Sequence, residues 1–241
     1  MEKYELTSDT KIIGDVILHR IKALKSFDNV KEGDLGGWIE SKKNLSQSGN
    51  AWVFDNARVF GNAMVRDNAT VRENAVVRDN AVVRDNAEVS ENAMVSNNAW
   101  VSRNTVVSGK AVVCGDAMVF ENAMVSNNAV VSGNATVRGD ALVFENARVS
   151  GDATVSGNAR VSGNARVSGD ADYIVFKNWW SSGRYFTWTR SNNKWRVGCF
   201  YGSGEELIQK AYKDSEKSGR EYERVVEYVE SILKEEENNN K

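Results

Sequence analysis

Proline is absent from all 241 residues, where an average usage of about 5% would place around twelve. Proline removes a backbone donor, so its absence suits a chain built from hydrogen-bonded strands. Histidine occurs once, at His19. The two cysteines, Cys114 and Cys199, lie in different segments with no metal-type spacing, and read as reduced thiols rather than ligands or a disulfide. No apolar run approaches the ~20 residues of a membrane span. The opening Met1-Glu2-Lys3-Tyr4-Glu5 has no basic region leading into an apolar one, so no secretory signal is expected and the cytoplasm is the expected location. With 31 basic against 33 acidic residues the net charge is −2, which gives no general attraction to nucleic acid or to an anionic membrane.

What is present is a period of six. From Asn50 to Gly169 the chain repeats [Asn/Asp]-Ala-x-Val-x-x with no insertion or deletion. Twenty consecutive units carry valine at the fourth place, Val53 to Val167, and alanine holds the second place in all but one, where Thr105 stands. Six residues fit neither an α-helix nor a heptad, but they fit a short strand and a corner stacked repeatedly, a parallel β-helix. Alanine and valine sit two apart, so both point inward, and the residue between them points out. The last two places and the following Asn or Asp form the corner, with types that tolerate a left-handed backbone. Three hexads per coil make a triangular coil of 18 residues and between six and seven coils in all. The narrow alanine–valine core leaves no room inside for a ligand.

In this spacing an aliphatic residue is followed four places on by a small one, as in Val53 then Ala57 and Val59 then Ala63. Over residues 44–172 the pattern resembles the hexapeptide-repeat family, and that resemblance implies a left-handed coil. The flanks resemble hexapeptide-repeat proteins of phages and prophages. The residues that carry this likeness are Leu18-His19-Arg20-Ile21-Lys22-Ala23-Leu24, Gly33 to Glu40, Asn44-Leu45-Ser46, and Gly198-Cys199-Phe200-Tyr201-Gly202. It implies no particular activity. The expected fold is therefore mainly β, in three parts. Residues 1–49 form an N-terminal β cap, 50–172 the β-helix, and 173–241 a small C-terminal α+β domain of three strands and two helices.

In the cap, Tyr4–Thr7, Lys11–Ile13 and Val16–Leu24 read as strands with a turn at Gly14-Asp15, and Gly36-Gly37 as a tight bend. In the C-terminal domain, Tyr173–Asn178, Arg184–Arg190 and Lys194–Phe200 read as strands, with a hairpin turn at Ser191-Asn192-Asn193. Ser203 and Glu206 form a capping box that opens a first helix. Gly219 reads as the link to a second, and Glu235–Lys241 as a frayed tail.

The chemistry is sparse. Acyltransferases that resemble this repeat use a histidine as general base, because its pKa lies near working pH. Here the one histidine lies outside the repeat, on a strand with Ile17, Ile21 and Ala23, and reads as a packed cap residue. Relatives resembling carbonic anhydrase need three histidines on zinc, which this chain lacks. No catalytic residue, metal site or cofactor is expected. Four corners pair Arg with an acid, Arg66-Asp67 to Arg84-Asp85, and read as solvated, mutually compensating charges.

Two features point to contacts. The 18-residue spacing stacks Met64, Val82, Trp100 and Met118 on one outer face, and Val76, Met94, Val112 and Val130 on a second. A third face is mixed, from Trp52 and Thr70 to Leu142. Apolar stripes at outward positions mark an interface, here rod-to-rod in a homo-oligomer, with a trimer following from family resemblance. The C-terminal domain crowds aromatic rings among cations, and Trp179, Trp180, Arg184, Trp188, Arg190 and Arg196 are the candidates for a protein partner or a small anionic ligand. The leading expectation is a non-catalytic scaffold presenting a recognition domain. The alternatives are a nucleotide-like small-molecule binder or a diverged acyltransferase.

Overall fold

Two-residue strands are the building block. Twenty of them run from β4 (Trp52–Val53) to β23 (Arg166–Val167), one per hexad, in a computed structural model that describes residues 2–239. Each pairs in parallel with the strand 18 residues away, as Trp100 does with Val82 and with Met118. The strands so sort into three sheets, one per side of the coil. Alanine and valine face in: Ala57, Val59, Ala111 and Val113 are all 0% exposed. Thr105, the exception, is equally buried, and its hydroxyl donates to the Ser102 carbonyl at 2.8 Å.

The corners follow one rule. The sixth residue of the first nineteen hexads, from Asp55 to Gly163, has a positive φ between 50° and 75°, as does Gly49 just before the first. Glycine holds many of these places, but Glu73, Glu91, Glu121, Glu145 and Arg103 adopt the same conformation. The carbonyl of this residue accepts from the residue 17 before it, as Glu73 does from Asn56 N–H at 2.9 Å. Its own N–H faces the side chain of the preceding coil's corner. The Asp55 carboxylate accepts from Glu73 N–H (3.1 Å), Asp79 from Asn97 (3.0 Å) and Glu121 from Gly139 (2.7 Å). Asn or Asp opens every hexad but the one at Lys110, and many of these side chains stack in a second ladder, as Asn62 to Asn80 to Asn98 to Asp116 with bonds of 2.7 to 3.1 Å.

A stack of strands needs its open edge covered. Strands β1 (Tyr4–Ile13) and β2 (Val16–Ala23) form an antiparallel hairpin, and β2 pairs with β3 (Leu35–Ile39), which lies parallel on Arg58–Val59. Ile39 and Leu45 stack over Val59 and Val65. Edge carbonyls that no strand reaches are met by side chains. The buried Lys3 amine donates to Ala51 and Gly49, and the buried Asn44 amide to Ala63 and Gly61. The first expected cap strands, Tyr4–Thr7 and Lys11–Ile13, are one continuous strand. Gly36 and Gly37 are not a bend. They lie inside β3, where a Cβ on Gly36 would stand 2.6 Å from the Val53 carbonyl, so glycine is needed for close approach. Trp52, an outward position, is 1% exposed because the cap rings Tyr4 and Phe27 pack on it at 6.0 and 5.4 Å.

The chain divides into two compact units between Asp170 and Ala171. The second is an antiparallel meander with a helical hairpin. Its strands are β24 (Tyr173–Lys177), β25 (Tyr185–Thr189), β26 (Lys194–Val197) and β27 (Phe200–Gly202), and its helices α1 (Gly204–Asp214) and α2 (Glu216–Asn239). There are four strands, not three, because Gly198 at φ +58° turns the chain in the middle of the expected Lys194–Phe200 strand. The Ser203–Glu206 capping box opens α1. Gly219 does not link the helices. It lies inside α2, against the Tyr212 ring of α1. Helix α2 runs through the expected frayed segment to Asn239, and the last two residues of that segment lie outside the described residues.

Candidate functional site

The first candidate lies on the solenoid. Cross-strand pairing brings Met64, Val82, Trp100 and Met118 into one column, as the 18-residue spacing requires. Met64, Trp100 and Met118 are 40%, 39% and 43% exposed, large for apolar side chains on a sheet face. The Arg84 guanidinium lies 4.8 Å from the Trp100 ring centre and that of Arg103 5.8 Å from Phe120, so cations frame the apolar strip. Between them is a shallow hollow of about 240 Å³. The second column, Val76, Met94, Val112 and Val130, also stacks as expected, but it is half-buried along its length.

The charged corners neutralise locally. Arg78 meets Asp79 at 3.4 Å and Arg84 meets Asp85 at 3.8 Å, while Arg72 reaches across to Glu88 rather than to Glu73. His19 is half-buried on β2, opposite Thr10 and Ile39.

The second candidate lies in the C-terminal unit, and the expected residues divide. Trp180 and Trp188 are 8% and 1% exposed and belong to the hydrophobic core, with Phe186, Trp195 and Tyr222. A small core uses its largest rings for burial, and this corrects their expected place on a binding surface. The Trp188 indole N–H is satisfied internally by Asn193 at 2.8 Å. Arg190 forms a two-pronged pair with Glu236 at 2.5 and 3.0 Å. That bond raises the Arg190 pKa and holds the Glu236 carboxyl below the usual carboxylate range. Arg196 lies 5.8 Å from the Tyr201 ring centre, and Trp179 is 73% exposed beside Trp180.

Two of the six line cavities: Arg190 borders an open hollow of about 430 Å³ with its partner Glu236, and Arg184 lines a deeper cleft. The cleft measures about 590 Å³ and lies between the turns at Gly183 and Gly198 on one side and the two helices on the other. Lys210 and Asp214 face it from α1, one turn apart, and Ser218 and Tyr222 from α2. Phe200, Tyr201 and Leu207 supply apolar surface, and Ser181 and Ser182 supply hydroxyls. Tyr222 is held neutral, its pKa raised chiefly by burial, and its hydroxyl accepts from the Asn178 amide at 3.1 Å. Asn178 in turn accepts from Ser181 N–H and Oγ, which fixes the loop that carries Arg184. Lys210 and Asp214 were not legible as site residues. They flank the apolar stripe of a helix, where charges are ordinary, and only the meander's turn at Gly198 places a wall opposite them. Among the described residues no cluster of His, Cys, Asp and Glu could hold a metal, and no helix is long and apolar enough to cross a membrane.

Hexads stacked three to a coil around an alanine–valine core make the solenoid a parallel β-helix of hexapeptide repeats. The YdcK beta-solenoid repeat family matches residues 147–161 and 159–171, in the final coils. A 63-residue stretch is 33% identical to a protein named the uncharacterized acetyltransferase YdcK, from Escherichia coli (strain K12). That stretch covers 23% of this chain and 19% of the relative, so the chain spans about a fifth of the length of the curated protein it matches.

Proposed function

We propose that this protein is a non-catalytic scaffold, in which the solenoid self-associates through the Met64–Met118 column and the C-terminal unit does the recognising. The single observation that carries this reading is the column itself. Three large apolar side chains stand about 40% exposed in register on a flat sheet face, and such contiguous apolar surface marks contact sites on soluble proteins. Arg84 and Arg103 at its rim suit the polar border of an interface. A trimer is the assembly that family resemblance favours, the cytoplasm is the proposed location, and the likeness of the flanks fits a phage or prophage origin.

Light scattering tests it. The wild type should show three times the 26.7 kDa mass of one chain. Trp100→Glu should move that mass towards the monomer at equal concentration while leaving far-ultraviolet circular dichroism unchanged. A wild type that stays monomeric at high concentration removes the reading.

The name of the relative supports a second reading, acetyl transfer. Against it stands the sequence, which offers no imidazole anywhere in the coils to act as the base. Turnover of acetyl-coenzyme A by purified protein, abolished in a cleft or column variant, would favour transfer over scaffolding.

A further inference from the structure

The C-terminal cleft carries more than a general role in recognition. Its charge is uneven. Arg184 comes from the loop before β25 and Lys210 from the middle of α1, and Asp214 is the one carboxylate beside them. Among the described residues, neither the Arg184 guanidinium nor the Lys210 ammonium has a side-chain hydrogen bond or ion pair, whereas Arg190 and Arg224 both pair with glutamates. Gly198 lies at the cleft edge beside Arg184, on a backbone whose φ of +58° favours glycine.

Two cations and the nearby Ser182 hydroxyl form a donor set suited to several oxygens on one centre, as in a phosphate. Next to them Phe200, Tyr201 and Leu207 form an apolar wall suited to a planar ring. Asp214 can accept from an amine on such a ring. A volume of about 590 Å³ lies within the range of small-molecule sites and exceeds the need of phosphate alone. We propose that this cleft binds a nucleoside phosphate. Arg184 and Lys210 hold the phosphate, the rings hold the base, and Asp214 meets an amino group. This rests on the reading of the C-terminal unit as the recognising part and names its ligand class, but it is independent of self-association, since the cleft residues all lie in the C-terminal unit and the column in the solenoid.

Calorimetry on the full chain tests the proposal, with the common ribonucleoside 5′-monophosphates as probes and adenosine and inorganic phosphate as the separate halves. At least one monophosphate should bind, and each half should bind at least about tenfold more weakly. Arg184→Gln and Lys210→Gln should each weaken binding by about tenfold or more. Arg224→Gln, which removes an equal charge outside the cleft, should leave it unchanged. Arg184 is exposed, so its variant should fold, and an unchanged melting curve checks this. Cys199, exposed at the cleft, adds a positional readout: saturating nucleotide should slow its reaction with a thiol reagent while leaving Cys114 unaffected. The proposal is overturned if no monophosphate binds at millimolar concentration. It is also overturned if binding is as tight in both cleft variants as in the wild type, or if bound nucleotide leaves Cys199 labelling at its free rate.

Discussion

The sixth residue of the hexad shows how much a single backbone angle governs. The corners from Asp55 to Gly163 all take a left-handed conformation whatever side chain they carry. For a residue with a Cβ this costs about 1–2 kcal/mol, which glycine avoids. Aspartate, asparagine and some glutamates offset the cost by accepting from the N–H one coil on. Glu91 has no such bond, whereas Glu121 accepts from Gly139 N–H at 2.7 Å and pairs with Arg103 at 3.3 Å. Glu91→Gly should therefore stabilise the protein by about 1 kcal/mol, and Glu121→Gly should give less or destabilise it. Denaturant melts of the two variants check this, and equal shifts would mean that the carboxylate bond contributes nothing.

Lys3 is the other residue whose environment sets its behaviour. Burial, with Lys25 nearby, lowers its pKa from 10.5 to about 8. The unfolded chain keeps that proton to higher pH than the folded one, so between about pH 8 and 10.5 the unfolded state binds more protons. The stability due to Lys3 therefore rises with pH across that window. A neutral amine still has two protons for the Ala51 and Gly49 carbonyls. The gap in melting temperature between wild type and Lys3→Met should widen from about pH 7.5 to pH 10. A gap that stays constant would place the folded-state pKa near its ordinary value.

At the scale of elements, glycine marks where two pieces touch. Gly219 read as a link because glycine is a poor helix former. In α2 it is the contact point with Tyr212, and a methyl group there would enter the ring. Gly219→Ala should cost about 1–3 kcal/mol through overpacking, despite the better helix propensity of alanine. A rise in melting temperature would show that propensity outweighs packing at this site. The end of α2 is likewise held by a partner far off in sequence, since Arg190 pairs with Glu236. Composition alone predicted fraying there, because the glutamate run has no local partner.

For the solenoid, strand pairing links residue i with i+18, and the backbone ladder bonds link i with i+17. Val107, for instance, pairs with Val89 below and Val125 above. Such a stack is held by nearest-neighbour contacts. Deleting residues 110–127, one whole coil, should keep the columns aligned and the solenoid folded, with only a modest loss in melting temperature. Deleting residues 110–118 should disrupt it, because the shift turns inward valines to solvent. Circular dichroism and thermal melts distinguish the two, and similar behaviour of both deletions would refute the stacking rule.

The six-residue period was enough to determine the coil, its three faces and the members of each outer column. A single repeated pattern meets the same neighbours at every level, so local order implies long-range order. The capping box at Ser203 was legible for a similar reason, being a contact across three residues. The cap's carbonyl contacts, the close approach at Gly36, the burial of Trp52, Trp180 and Trp188, and the cleft around Arg184 were settled only by tertiary structure. Each depends on segments far apart in the chain, whose meeting no period or composition encodes.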